Sequence, residues 1–165
     1  MIAEFNLGRL RHDWDDPRVA PFVEALERVY ALAKDAPGYV WSLPADEMEK
    51  FQLDPEGPLG GDPRIASTLS VWQSVTALKA FAHQGVHGGF IRRSAAWFEV
   101  WETPRMVLWT VQAGARPTVA DGIERLRALE RDGPTDFAYD WAHGLAREGH
   151  RAPFTPQAGT QGAVP

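Results

Sequence analysis

Cysteine is absent from the 165 residues. Disulfides, thiolate zinc sites, iron–sulfur clusters and a cysteine nucleophile are therefore excluded together. Any metal or haem would have to be held by histidine, carboxylate or tyrosine. A surplus of positive charge is missing too: 17 Lys and Arg stand against 22 Asp and Glu, a net charge of −5. The basic residues are scattered rather than striped, so no grip on nucleic acid or on an anionic membrane is expected. No apolar run approaches the ~20 residues of a membrane helix. The N-terminus, MIAEFNLGRLRHDW, lacks a charged start followed by an apolar core. No signal peptide is expected, and the localisation reads as cytoplasmic. Glycine-rich phosphate loops and serine-nucleophile elbows are also missing, because 85–89 has no Lys-Ser/Thr after it.

What is present is an ordinary globular composition, 44% hydrophobic and 24% charged. That suffices for one domain with a sizeable core. The domain is expected over 1–149, and 150–165, rich in Pro, Gly and Gln, reads as a flexible tail. Ala3, Phe5 and Leu7 alternate with Glu4 and Asn6, a strand with one polar face. Asp15-Asp16-Pro17 predicts a helix start, and Val19, Phe22, Val23, Leu26, Val29, Tyr30 and Ala33 recur at helical spacing until Pro37-Gly38. Tyr39 to Leu43 is a short strand. The 44–64 segment carries four prolines and reads as a loop over one sheet edge or as a lid.

Ile65 to Trp72 returns to strand character, and Ser74 can cap a helix running to about Gln84. At about 100° per residue, Leu78, Phe81 and Ala82 fall on one side of that helix and His83 and His87 nearly opposite. The later apolar set, Phe90, Ile91, Trp97, Phe98 and Trp101, falls on the histidine side. A break is therefore expected near Gly85 to Gly89, unless both faces are buried. Met106 to Gln112 is a strand. Thr118 to Asp121 resembles a capping box opening a helix to Gly133, and Phe137, Tyr139 and Trp141 alternate as a last strand.

The expected fold is α+β: a ferredoxin-like βαββαβ core with an extra helix and strand. Helices on one face would leave the other open, and a second copy is the expected cover, giving a homodimeric α+β barrel.

The run Asp62-Pro63-Arg64, Leu69-Ser70-Val71-Trp72-Gln73-Ser74, Leu78, Phe81, His87, Arg92-Arg93 and Ala96-Trp97-Phe98 resembles a bacterial domain-of-unknown-function family. Val107-Leu108-Trp109, Arg116-Pro117-Thr118 and Gly133-Pro134-Thr135 extend the likeness over roughly 1–141. That family sits in the dimeric α+β barrel superfamily, alongside antibiotic-biosynthesis monooxygenases. The resemblance implies a fold and a dimer more firmly than a reaction. The haem-degrading members of the superfamily carry a first-strand Asn, a Val/Ile-Trp-x-Ser turn, then a Trp and a haem-ligating His on the following helix. Asn6, Val71 to Ser74 and His87 stand at similar places here. Phe81 replaces the helix Trp, and His87 lies about a turn early.

From this follow two forms of one expectation, a monooxygenase-like enzyme acting on an aromatic or polyketide-type small molecule. The cofactor-free form uses Asn6 and His87 as catalytic groups in a dry pocket lined by Trp72, Phe81, His83, Arg92, Trp97 and Trp109. The haem form makes His87 the axial ligand, puts Asn6 on the distal side and assigns Arg92 or Arg93 to the propionates. A non-catalytic small-molecule- or haem-binding accessory protein is the alternative, and a structural dimer without ligand the third. Each residue also has a plainer role. The histidines at i, i+4 can be solvent-facing or a metal pair, without metalloprotease spacing. The tryptophans, Trp101 among them, can be core or interface. The arginines can be surface ion pairs, and Asn6 can be a structural amide.

Overall fold

The computed structural model describes residues 1–83 and 93–150. The elements in chain order are β1 (Ile2–Arg9), α1 (Ala20–Lys34), β2 (Tyr39–Ser42), α2 (Ala45–Leu53), β3 (Ile65–Trp72), α3 (Val75–His83), β4 (Met106–Thr110), α4 (Val119–Asp132) and α5 (Trp141–His150). Residues 93–97 are also helical. The chain is α+β, built on one four-stranded antiparallel sheet in the order β2-β3-β1-β4. β1 is thus interior, with both of its edges hydrogen-bonded.

Register sorts the strand residues into two faces. Ala3 pairs with Val71 and Trp109, and Phe5 with Leu69 and Val107. These six side chains form one apolar layer, closed by Met48 of α2 and by Val119, Leu126, Ala128 and Leu129 of α4. Gly122 lets α4 approach closely, since a Cβ there would stand 2.5 Å from Phe5 Cγ. On the opposite face Ile2 pairs with Trp72, Glu4 with Ser70 and Asn6 with Thr68. Here α1 and α3 lie over the sheet. Ala33, Leu78 and Phe81 pack with Ile2 and Trp72, and Phe22 and Val23 pack with Leu10, Val19 and Trp97.

Three expectations change. The 44–64 segment is not all loop, because α2 occupies its first half. Its prolines fall outside the helix, at Pro44, Pro55, Pro58 and Pro63, and Met48 and Phe51 at i, i+3 supply its apolar contact. The last strand is absent: Tyr139 makes a single bridge to Leu108, through hydrogen bonds of 2.8 and 2.9 Å. Asp140 then accepts from the His143 N–H at 2.8 Å and starts α5. Helices were expected on one sheet face only, but both faces carry helices of this chain, α2 and α4 over the Phe5 face and α1 and α3 over the other. Phe5 is 0% and Trp109 2% exposed without any partner.

Other boundaries follow local chemistry. α1 begins at Ala20 rather than Pro17, because Asp16 bonds the Arg18 N–H and guanidinium and holds the preceding turn. Ser74 accepts from Ala77 N at 3.0 Å and caps α3. The Thr118–Asp121 capping box opens α4, with both reciprocal bonds present. The break expected at Gly85 to Gly89 and the tail from 151 on lie outside the described residues.

Candidate functional site

The β1–β3 register places a carboxylate almost wholly out of solvent. Glu4 is 5% exposed, flanked by Ile2 and Asn6 on its own strand and by Ser70 across. Asn6 Nδ2 donates to Glu4 Oε1 at 2.5 Å and to Thr68 Oγ1 at 2.6 Å. Ser70 Oγ donates to Glu4 Oε2 at 3.0 Å and accepts from Trp72 Nε1 at 3.0 Å. A continuous polar line therefore runs from Thr68 through Asn6, Glu4 and Ser70 to Trp72. Burial pushes the Glu4 carboxyl up to about 7, and the bonds from Asn6 and Ser70 oppose that rise without cancelling it. Near neutral pH the group therefore holds or releases a proton readily.

Aromatic side chains close one end of this line. Trp72, 1% exposed, stacks on Phe81 at 5.2 Å between ring centroids and meets Tyr39 edge-on at 5.5 Å. The Tyr39 hydroxyl is tied to Ser42 Oγ at 2.8 Å. Asn6, Thr68, Ser70 and Met106 remain half-buried around Glu4, so the network borders accessible surface rather than lying sealed in the core. A shallow hollow of about 270 Å³ against Pro58, Ile123, Glu124 and Arg127 lies on α4, behind the sheet from Glu4.

Of the residues singled out by sequence, Asn6, Trp72 and Phe81 do come together on this face. Trp109 does not: register puts it beside Ala3 on the opposite face, under Arg125 at 5.0 Å. Trp97 belongs to the cluster of Leu10 and Val19, with Arg93 over its ring at 5.4 Å. Trp101 is half-buried. His83 is exposed and packs its ring near Trp141 at 5.8 Å. His87 and Arg92 lie outside the described residues. Glu4 is the residue the sequence reading passed over, as one polar position of an alternating strand. Ile2 on the same side of that strand is the signal that its polar face is not a solvent face.

A haem was expected to use Asn6 as a donor on its distal side. Both hydrogens of that amide are already given to Glu4 and Thr68, so Asn6 does not fit the role. Among the described residues no three or more His, Asp or Glu side chains gather as a metal site. Among them, too, no helix is long and apolar enough to cross a membrane.

The molecule is thus an α+β protein whose antiparallel sheet carries a buried, hydrogen-bonded carboxylate on one face. The chain belongs to the family described as a domain of unknown function (DUF3291), whose model matches residues 1–155. No curated protein matches it.

Proposed function

We propose that the chain is a small-molecule enzyme of the monooxygenase-like, cofactor-free kind, with Glu4 as its general base. The observation that carries this reading is the buried Glu4 carboxylate, held by Asn6 and Ser70 and balanced near neutral pH. Holding a charge there opposes folding, since burying an ionisable group costs more than burying an apolar one of the same size. Proton transfer is the task that uses such a group. Asn6 and Ser70 position the carboxylate. Trp72 and Phe81 give the neighbouring surface aromatic character, suited to an aromatic or hydrophobic substrate.

In this chemistry the substrate gives a proton to Glu4 and an electron pair to dioxygen. Glu4 returns its proton to the peroxide so formed, and loss of the second hydrogen from the same carbon as the O–O bond breaks leaves a carbonyl and releases water, so that CH2 and O2 become C=O and H2O. The strand order β2-β3-β1-β4, with β3 between β1 and β2, supports the ferredoxin-like form of the fold. A homodimer, if the protein forms one, would use a surface other than the face under α2 and α4.

The test is oxygen uptake by the purified chain against a panel of phenolic, polyketide-type C–H acids. At least one should be turned over, with a rate that rises through an inflection near pH 7. Glu4→Gln should lower that rate by about 10²- to 10⁴-fold, the usual share of a general base. Equal rates in the two proteins would remove Glu4 from the chemistry. Binding without turnover in either would make the chain the non-catalytic accessory protein instead.

A further inference from the structure

Among the described residues, two groups bond the Glu4 carboxylate: the Asn6 amide at 2.5 Å and the Ser70 hydroxyl at 3.0 Å. They differ in what they can pass on. Asn6 Nδ2 gives its two hydrogens to Glu4 and Thr68, and an amide nitrogen offers no acceptor site to an arriving proton. A hydroxyl has one hydrogen and two acceptor sites. At Ser70 the hydrogen goes to Glu4 Oε2, and one acceptor site takes the Trp72 Nε1–H at 3.0 Å. An indole N–H only donates, so it keeps the Ser70 hydrogen turned away from Trp72. The second acceptor site of Ser70 has no partner among the described residues.

Exposure and register single out the same hydroxyl. Ser70 is half-buried while Glu4 is 5% exposed, so Ser70 is the more accessible of the two. It stands between Glu4 on β1 and Ser42 on the edge strand β2. Ser42 is half-buried as well, and its Oγ lies 2.8 Å from the Tyr39 hydroxyl. A row of hydroxyl side chains therefore runs from the buried carboxylate to the sheet edge. Trp72 lies alongside, stacked on Phe81 and edge-on to Tyr39.

We infer that Ser70 carries the substrate's proton to Glu4, with the reacting carbon at Ser70 Oγ on the β2 side rather than at the carboxylate itself. The inference rests on Glu4 acting as base. In the step the substrate C–H bond breaks and its proton bonds to Ser70 Oγ. The hydrogen that Ser70 held passes to Glu4 Oε2, and the electron pair stays on the substrate as an enolate. Ser70 ends as the neutral hydroxyl it was, and Glu4 ends as the acid. Trp72 is a positioning residue here, because its N–H fixes the direction of the Ser70 hydrogen.

The probe is 2-indanone, an aromatic ketone with acidic C–H bonds, incubated with the full chain in deuterated buffer under argon. Loss of its α-proton signal is followed by NMR. The wild-type chain should accelerate the exchange. Ser70→Ala should slow it by about 100-fold, the lower end of what a proton-transfer group contributes, and in kcat more than in KM. Ser70→Thr keeps the hydroxyl on a strand that suits Thr, and should recover most of the rate. Glu4→Gln should slow exchange at least as much as Ser70→Ala. Adding Ser70→Ala to Glu4→Gln should slow it no further, because a relay without its base carries nothing.

Wild-type exchange in Ser70→Ala, with a loss in Glu4→Gln, would overturn the relay and leave Glu4 as the direct base. Losses that multiply in the double variant would overturn it too, by showing two separate roles. A Ser70→Thr chain that unfolds cooperatively yet exchanges as slowly as Ser70→Ala would do the same. Wild-type exchange in Glu4→Gln, or no acceleration by the wild-type chain, would overturn the base and the relay with it.

Discussion

The two faces of the central strands are built from the same backbone and differ in everything else. Ala3, Phe5, Leu69, Val71, Val107 and Trp109 make a dry layer against α2 and α4, in which nearly all apolar surface is removed from water. One residue along, Glu4, Asn6, Thr68 and Ser70 make a hydrogen-bonded polar line under α1 and α3. Apolar burial on the first face contributes about 1.5–3 kcal/mol per large side chain. On the second, the network only lessens the cost of keeping Glu4 from water. The first face is thus closed by apolar burial alone, while the second sets a polar line beside its own apolar cluster of Ile2, Trp72, Leu78 and Leu108.

The largest break in that contrast is expected from Phe5→Ala. Phe5 is fully buried between the sheet and α4. Its truncation should cost about 3–5 kcal/mol in denaturant unfolding, as large-to-small changes in a tight core do. A loss below about 1 kcal/mol would show that the layer closes around the gap and is less rigid than its contacts imply.

Glu4→Gln sharpens the other side. The Glu4 pKa is raised by folding, so the native state binds its proton more tightly than the unfolded chain does. Stability from this group is present in full below the unfolded value near 4.5 and is lost as pH rises to about 7. The wild-type chain should lose up to about 3 kcal/mol over that window, with little further change above it. Glu4→Gln should remove this slope. If unfolding free energies of the two proteins run parallel from pH 4.5 to 8, Glu4 is not the buried acid described here.

A smaller effect is expected from Ser70→Ala. It removes an acceptor from the buried Trp72 N–H and a donor from Glu4. The loss should be about 1–2 kcal/mol. Because the Ser70 bond lowers the Glu4 pKa, the pH at which stability finishes falling should move upward. A downward move would mean that another group holds the Glu4 carboxylate.

Most elements could be read from the sequence because their signals are local. The helical recurrence from Val19 to Ala33, the Thr118–Asp121 box and the alternation of β1 each depend on neighbours within a few residues. α2 was hidden because nine residues with two apolar contacts look like loop when prolines flank them. The Phe137–Trp141 strand failed for the opposite reason. Alternation was present, but only Tyr139 finds a strand edge, and the Asp140 cap favours a helix from Trp141. The site was half legible. Asn6, Trp72 and Phe81 stand on one face of the sheet, while Trp109, joined to them on aromatic character alone, lies behind the sheet.

By itself the sequence determined which residues alternate, that Ser74 and Thr118 cap helices and that no thiol chemistry exists here, because these depend on composition and on spacing along the chain. Only the tertiary structure decided that β1 lies inside the sheet with both faces covered, and that Ser70 stands opposite Glu4. Strand order and register are set by contacts between residues some 60 positions apart, as Asn6 and Thr68 are, 62 apart. That long-range pairing turns an ordinary polar position into a buried carboxylate. The desolvation it imposes gives Glu4 its proton affinity.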